Sequence, residues 1–468
     1  YAYKFFYYQR QNCKTYELEP SYPGHEFSHA DDGIFIQDGT ETVYRQLYGG
    51  WFAAGDYGKF ILWGNHIEGA IYALLHAYES NIAFYSSKDQ YAFNGSLTSN
   101  QIPDIIDEVM WGLQYTINAT LPNGSIIRNL LGDLRFTPPE KNTDGIIGTE
   151  DDRKIDMRYP FAEPFEAMWV AAGMIKMARI AQSTGFYLDW KNKLFSTGLS
   201  IYTQNLGYFN RSNLDGISAS SFMTASLELY RYTDLAIYAE KATFAANETA
   251  NWVKTQTFSN DDLNYVDRAI GLLGYWAYLN ESTAAKQLVK EAIDARMDQN
   301  WARSFSKENP FQIKYLDAFD AEGNLANSTL LSNWLGLNGM YLYSAFAALM
   351  GKEIGYQDPK IVDYAINQID WVFGKNPFGI CMVEGLGAKN LPAYHHRLSM
   401  VVDNPRGAVP GLIPNGVIND GKGKPYLDLT EARSGSGIIR SIDYKSNEPW
   451  LIHNIAFLFM ISALTNYL

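Results

Sequence analysis

The sequence predicts an all-α protein in which about twelve helices pair into six hairpins and close into a double-layered helical barrel. Three observations carry this expectation. Apolar residues recur at helical spacing through most of the chain, strand-like alternation is rare, and no Ser/Pro/Gly-rich linker or low-complexity run divides the 468 residues. A single domain over 1–468 is therefore expected.

Taken in order, the clearest helical stretches are 62–85, 102–119, 161–183, 218–232, 284–299, 330–350 and 359–373. Weaker periodicity at 2–11, 188–203, 235–255, 261–279 and 450–468 brings the count to about twelve. Between Phe165 and Ala181 the only charged residues are Glu166, Lys176 and Arg179, while Phe165, Met168, Trp169, Ala172 and Ile175 mark one apolar face. A helix of that composition is buried on more than one side, as an inner-ring helix would be. The long non-helical stretches are 13–60, 121–159 and 374–447, and loops of that length in a compact domain usually carry function.

Composition narrows the class. Hydrophobic residues make up 47% and charged residues 19%, a globular balance, and no apolar run reaches the roughly 18 residues that span a bilayer. A net charge of −13 without a basic cluster repels a phosphate backbone, which argues against nucleic acid as a partner. The 33 Tyr, 25 Phe and 11 Trp are mostly core, but flat aromatic faces also cover sugar rings. Seven N-x-S/T sequons, at Asn94, Asn118, Asn123, Asn210, Asn247, Asn280 and Asn327, suggest N-linked glycans on an extracellular surface. The chain opens at Tyr1 without a basic and apolar leader, which fits a mature form, so export is an expectation resting on the sequons. Two distant cysteines, Cys13 and Cys381, exclude a disulfide framework and a four-cysteine metal site.

The run Gly49-Gly50-Trp51-Phe52-Ala53-Ala54-Gly55-Asp56-Tyr57-Gly58-Lys59-Phe60 resembles the signature of family 9 glycoside hydrolases, GGW(Y/H)DAGDYGKY. Ile102-Pro103-Asp104-Ile105-Ile106-Asp107-Glu108-Val109 with Trp111 resembles the same family's IPDLLDEVRW helix. Gly374-Lys375-Asn376-Pro377-Phe378-Gly379 and His395-His396-Arg397 resemble its GxNPxG and HHR pair, and Asn447-Glu448 its C-terminal NE motif. These matches keep the family's order over essentially the whole chain. The resemblance implies an (α/α)6 barrel and inverting hydrolysis of β-1,4-linked glucans.

By motif position Asp56 is the expected base and Glu448 the expected acid. Inversion needs one carboxylic acid to protonate the leaving oxygen and one carboxylate, roughly 6.5 to 9.5 Å away, to activate a water on the opposite face. Alone, Asp56 reads equally as a turn-capping residue and Glu448 as a charge at a helix N-terminus. His395 and Arg397 are expected to donate hydrogen bonds to sugar hydroxyls, with Tyr57 and His453 also assigned to the substrate site. Trp51, Trp63 and Trp334 are candidate sugar platforms, each competing with a role in the core.

The chain also departs from the pattern. Ala53 stands where the family has the first Asp of its DAGD pair, Pro449 follows the acid, His453 stands where the family often has Tyr, and the segment 132–140 lacks the DHxxW pattern. These changes leave two other readings open: a catalytically silent surface glycoprotein or carbohydrate-binding protein that keeps the fold, and an exo-acting enzyme on another β-linked sugar such as glucosamine oligomers. No cofactor is required by two-carboxyl hydrolysis. Independently of the family, Glu140, Asn142, Asp144, Gly145 and Asp151 approximate the spacing of a calcium loop, with oxygen ligands at positions 1, 3, 5 and 12 and Gly at 6. A structural calcium there competes with a solvated acidic loop.

Overall fold

The computed structural model describes residues 1–38, 40–132, 137–210, 214–255, 265–319, 325–432 and 441–465. In chain order the α-helices are α1 (Lys4–Tyr8), α2 (Ile67–Ser80), α3 (Ile82–Ser86), α4 (Asp104–Ala119), α5 (Pro164–Thr184), α6 (Lys191–Phe209) and α7 (Gly216–Thr233). They continue with α8 (Ala236–Thr255), α9 (Tyr265–Asn280), α10 (Thr283–Gln299), α11 (Asn338–Glu353), α12 (Lys360–Val372), α13 (Tyr444–Asn447) and α14 (Leu451–Leu464).

Six of them close a ring. Helix α2 packs on α5, α5 on α7, α7 on α9, α9 on α11, α11 on α14, and α14 returns to α2. The outer layer places α4 on α2, α6 on α5, α8 on α7, α10 between α8 and α9, and α12 on α11. This is a double-layered (α/α)6 barrel. Its inner helices are apolar on nearly every face because they are packed on both sides: α14, LIHNIAFLFMISAL, has no charged residue and is buried along most of its length. Among the described residues no helix is long and apolar enough to cross a membrane.

The inner helices run parallel, with their N-termini at one end of the barrel. Gly339, at the start of α11, donates its backbone N–H to His453 Nδ1 at the start of α14 (2.8 Å). Asn65, just before α2, accepts from Arg268 in the first turn of α9 (2.6 Å) and from the Tyr343 hydroxyl of α11 (3.1 Å). At the opposite end Lys176 of α5 meets Glu79 of α2 and Glu228 of α7. Loops entering the inner helices therefore collect at the N-terminal rim, where backbone N–H groups and helix dipoles face outward.

Three expectations are corrected in detail. The stretch 62–85 is helical only from Ile67 and breaks at Asn81, whose extended backbone lets its side chain cap the Phe84 N–H of α3. Before Ile67, Trp63 and Gly64 take positive φ, and the Glu68 carboxylate turns back to accept both the Leu62 and Gly64 N–H groups. The stretches 330–350 and 2–11 shrink to α11 and α1. Strands also occur as four two-stranded antiparallel sheets: β1 (Gly33–Asp38) with β2 (Glu41–Gln46), β3 (Lys59–Phe60) with β4 (Asn129–Leu130), β5 (Leu316–Phe319) with β6 (Leu325–Thr329), and β7 (Ile418–Asn419) with β8 (Pro425–Tyr426). All lie in the connecting segments. The first was readable as an alternating run around Asp38-Gly39, a hairpin signal. Cys13 and Cys381 are both free and buried.

Candidate active site

Three distant segments meet at the rim and are stitched by their backbones. The Leu451 N–H donates to the Ala53 carbonyl (3.0 Å), the Arg397 N–H to the Gly55 carbonyl (3.1 Å), and the His395 N–H to the Asn447 carbonyl (3.1 Å). Gly55 is the pinch point. A Cβ there would lie 2.1 Å from the His395 carbonyl oxygen and 3.2 Å from Glu448 Cγ, so only glycine lets these strands approach. Gly132 makes room in the same way, since a Cβ on it would sit 2.5 Å from the Asp56 carbonyl oxygen.

Asp56 is half-buried, and its Oδ1 accepts from the Gly58 N–H (3.0 Å). The next residue, Tyr57, is fully buried with φ +68, a left-handed conformation that costs a non-glycine residue free energy. It is held there by bonds at both ends. Arg153 and Gln11 donate to its carbonyl, and its hydroxyl donates to the Thr137 carbonyl (3.2 Å). Arg153 in turn pairs with the buried Asp32, which also takes the Lys59 ammonium (3.0 Å). The backbone that aims Asp56 is thus fixed from below by a buried ionic network.

Glu448 is 7% exposed and faces this loop. Burial first, and the nearby Asp56 charge second, push its carboxyl up to about 8. The Trp450 indole N–H (3.0 Å to Oε2), the Gly55 N–H and the Arg397 charge oppose the rise without cancelling it. A carboxyl that keeps its proton at neutral pH, beside one that stays accessible to water, is the arrangement that separates acid from base.

The other residues expected at the site divide into two groups. His395 is half-buried, and its Nδ1 donates to the Ile442 carbonyl (2.8 Å). Arg397 stacks its guanidinium over the Tyr57 ring at 5.1 Å. Trp334 is 58% exposed, on the segment that bonds through Gly336 to Lys445, near the acid. Trp63 is also exposed, at the mouth of α2. Trp51, by contrast, lies wholly in the core with its indole N–H on Glu108 (3.0 Å). His453 is 3% exposed and uses both ring nitrogens inside the protein, accepting from Gly339 and bonding Asn415 (2.8 Å each). His396 is likewise internal, between Gln9 and the Gly407 carbonyl. The structure brings neither Trp51 nor His453 to the cleft: the 3.6-residue register turns them inward. Ala53 is buried beside the motif, 1% exposed.

Two residues absent from the sequence reading belong here. Trp450 donates directly to the acid, and its place two residues after Glu448 was a usable signal. His66, half-buried against Phe60 with Nδ1 on the Leu62 carbonyl (3.0 Å), feels the Asp56 charge; nothing in its sequence context marks it.

The expected calcium loop does not fold around one point. Glu140 is exposed in a short 3-10 turn (Pro139–Lys141), and Asn142 is fully buried, bonded to Thr137 and His29. Asp144 and Asp151 do meet, joined by Asp31 from another segment. The proline-led turn rotates the first two positions away from the last two. The segment 133–136, where the DHxxW pattern was sought, lies outside the described residues, as does the Asn327 side chain. Of the other sequons, Asn94, Asn123, Asn210, Asn247 and Asn280 are exposed, whereas the Asn118 amide bonds the Tyr48 carbonyl.

With this geometry in place, comparison with known proteins is informative. The chain is 22% identical to a xyloglucan-specific endo-beta-1,4-glucanase of Bacteroides ovatus, over 99% of this chain and 77% of that one. A metagenome-derived family 9 endoglucanase superposes with a TM-score of 0.68 at 21% identity, covering 100% of this chain and 80% of that chain. The endoglucanase of the termite Nasutitermes takasagoensis does so with a TM-score of 0.63 at 19% identity, covering 100% and 97%. The family model for glycosyl hydrolase family 9 matches residues 1–460, and the chain belongs to that family of glycoside hydrolases.

Proposed function

We propose that this chain is an inverting endoglucanase that cleaves β-1,4-linked glucan chains outside the cell, as one catalytic unit, with Glu448 as acid and Asp56 as base. The observation that carries the reading is the pair of carboxyls with opposed environments at the rim: a buried Glu448 raised to about 8 against a half-buried Asp56. Glu448 gives its proton to the glycosidic oxygen as the bond to C1 breaks. Asp56 takes a proton from a water that attacks C1 from the opposite face, so the new hydroxyl has the inverted configuration. Each carboxyl ends the cycle in the other's charge state, and exchange with solvent resets both. Neither step requires a cofactor.

His395 and Arg397 hold the sugar hydroxyls, and Trp334 and Trp63 offer exposed ring faces to the chain on either side. The printed substrates of the relatives support a β-1,4-glucan and internal cleavage. Five exposed sequon asparagines support N-glycosylation and an extracellular setting.

One experiment tests the reading. Purified protein is incubated with β-glucan, xyloglucan, β-mannan and chitosan, following new reducing ends and the anomeric proton by NMR in the first minutes. The expected result is internal cleavage of a β-1,4-glucan with the α-anomer appearing first. Initial β-anomer overturns the assignment of roles, cleavage of chitosan alone favours the exo-glucosaminidase reading, and no new ends on any substrate favours the silent glycoprotein, for which Ala53 already argues.

A further inference from the structure

Asp31 sits in the segment before β1, more than a hundred positions from Asp144 and Asp151, yet one carboxylate oxygen from each lies within 4.8 Å of the other two. Three like charges at that distance repel unless something balances them. Among the described residues no lysine or arginine pairs with Asp31 or Asp144, and the two basic groups of the region, Lys59 and Arg153, are both taken by the adjacent Asp32. A second, independent feature points the same way. Asp31 is only 2% exposed; the Gly145 N–H donates to its Oδ2 (3.1 Å), but Oδ1 is buried with no donor in hydrogen-bond geometry, although the Thr143 hydroxyl lies nearby. A buried carboxylate oxygen left in that state is costly unless a cation meets it.

We propose that Asp31, Asp144 and Asp151 bind a hard divalent cation of the calcium class, which clamps the 144–152 loop to the segment behind the catalytic aspartate. The ligand set is all oxygen, with no thiolate or imidazole, which selects calcium or magnesium over zinc or copper. Asp144 is exposed and Asp151 half-buried on an irregular loop, so water can fill the remaining positions, as calcium's adaptable coordination allows. The clamp has a consequence for the active site. Asp31 is followed by Asp32, and Asp151 is followed two residues later by Arg153; those two form the buried pair from which Arg153 reaches the Tyr57 carbonyl, next to Asp56. Drawing Asp31, Asp144 and Asp151 together therefore fixes both ends of the brace that holds the catalytic backbone.

Terbium, which takes calcium's place at oxygen sites, provides a readout that does not depend on hydrolysis. The Tyr44 and Tyr48 hydroxyls donate to the Asp31 and Ala30 carbonyls, close enough to sensitise a bound lanthanide. After chelator treatment, the full chain is titrated with terbium, then with calcium, and its thermal unfolding is measured with and without calcium. Tyrosine-sensitised emission displaced by calcium is expected, together with a rise in Tm of about 3 °C at a hundredfold excess over Kd. The double variant Asp144→Asn/Asp151→Asn, which alters only loop positions, should fold normally and lose both signals. Emission that persists in that variant, or a Tm unmoved by calcium in the unaltered chain, overturns the site.

Discussion

The two ends of the barrel bury carboxylates equally deeply and to opposite effect. At the base, Glu228 is fully buried, and burial alone would raise it; Lys176 (3.2 Å), Arg179 (3.0 Å) and Arg231 (3.3 Å) surround it and pull it down to about 2 instead. Glu79 joins the same cations and is also held well below the usual range. At the rim, Glu448 has only an indole, one backbone N–H and the charge of Arg397 to set against burial and the Asp56 charge, and it rises to about 8. Burial therefore does not decide a carboxyl's role; the cations supplied with it do. A paired group locks helices together, whereas an under-compensated one holds a proton it can give away.

The largest expected effect comes from removing that proton. Glu448→Gln should lower kcat on polymeric glucan by at least about 10³-fold with Tm held or raised, because general acid catalysis of a poor leaving group is lost. On a dinitrophenyl cellobioside, whose leaving group needs no proton, most of the rate should survive. Asp56→Asn should lose both substrates alike. Equal losses for the two variants on both substrates would erase the distinction between acid and base.

Next in size is the base. Lys176→Met leaves Glu79 and Glu228 facing each other with a cation gone, and breaking a buried network of this kind costs about 3 to 5 kcal/mol. Tm should fall while the rate per folded molecule stays within about twofold. A matching fall in kcat would show that the two ends are coupled through the inner helices.

The smallest effect separates the ends by pH. Glu448, raised from 4.5 to about 8, binds its proton more tightly folded than unfolded, so its contribution to stability is fully present below about 4.5 and is lost as pH rises toward 8. Glu228, lowered from 4.5 to about 2, contributes above about 4.5 and loses that contribution as pH falls toward 2. Activity should follow the first slope and fall as Glu448 deprotonates on the alkaline side. Trp450→Phe removes a donor that favours the charged form and should move that alkaline limb upward by about one pH unit in a kcat/KM profile. A limb that stays in place would mean that the indole does not tune the acid.

Much of this was legible from the sequence. Helical periodicity is a local property, repeated in every inner helix because each is packed from both sides, so the ring of hairpins could be counted from apolar spacing alone. The rim motifs were equally legible, since Gly55 and Gly132 must be glycine wherever two backbones approach so closely. Element boundaries were less so: the false start of α2 at 62 reflects a Glu68 side chain that replaces helical bonds with its own.

What tertiary structure alone decided are properties set by neighbours remote in sequence. Trp51 and His453 sit among motif residues, but their rings point into the core, because which face of a segment meets solvent depends on what packs behind it. The calcium-loop spacing placed four donors in a row, whereas the fold discarded Glu140 and Asn142 and supplied Asp31 from before β1. The proton on Glu448 is the clearest case. Its affinity is fixed by burial beneath the 53–58 loop and by a charge almost the whole chain away, and Coulomb interaction and desolvation act through space, where sequence order has no meaning.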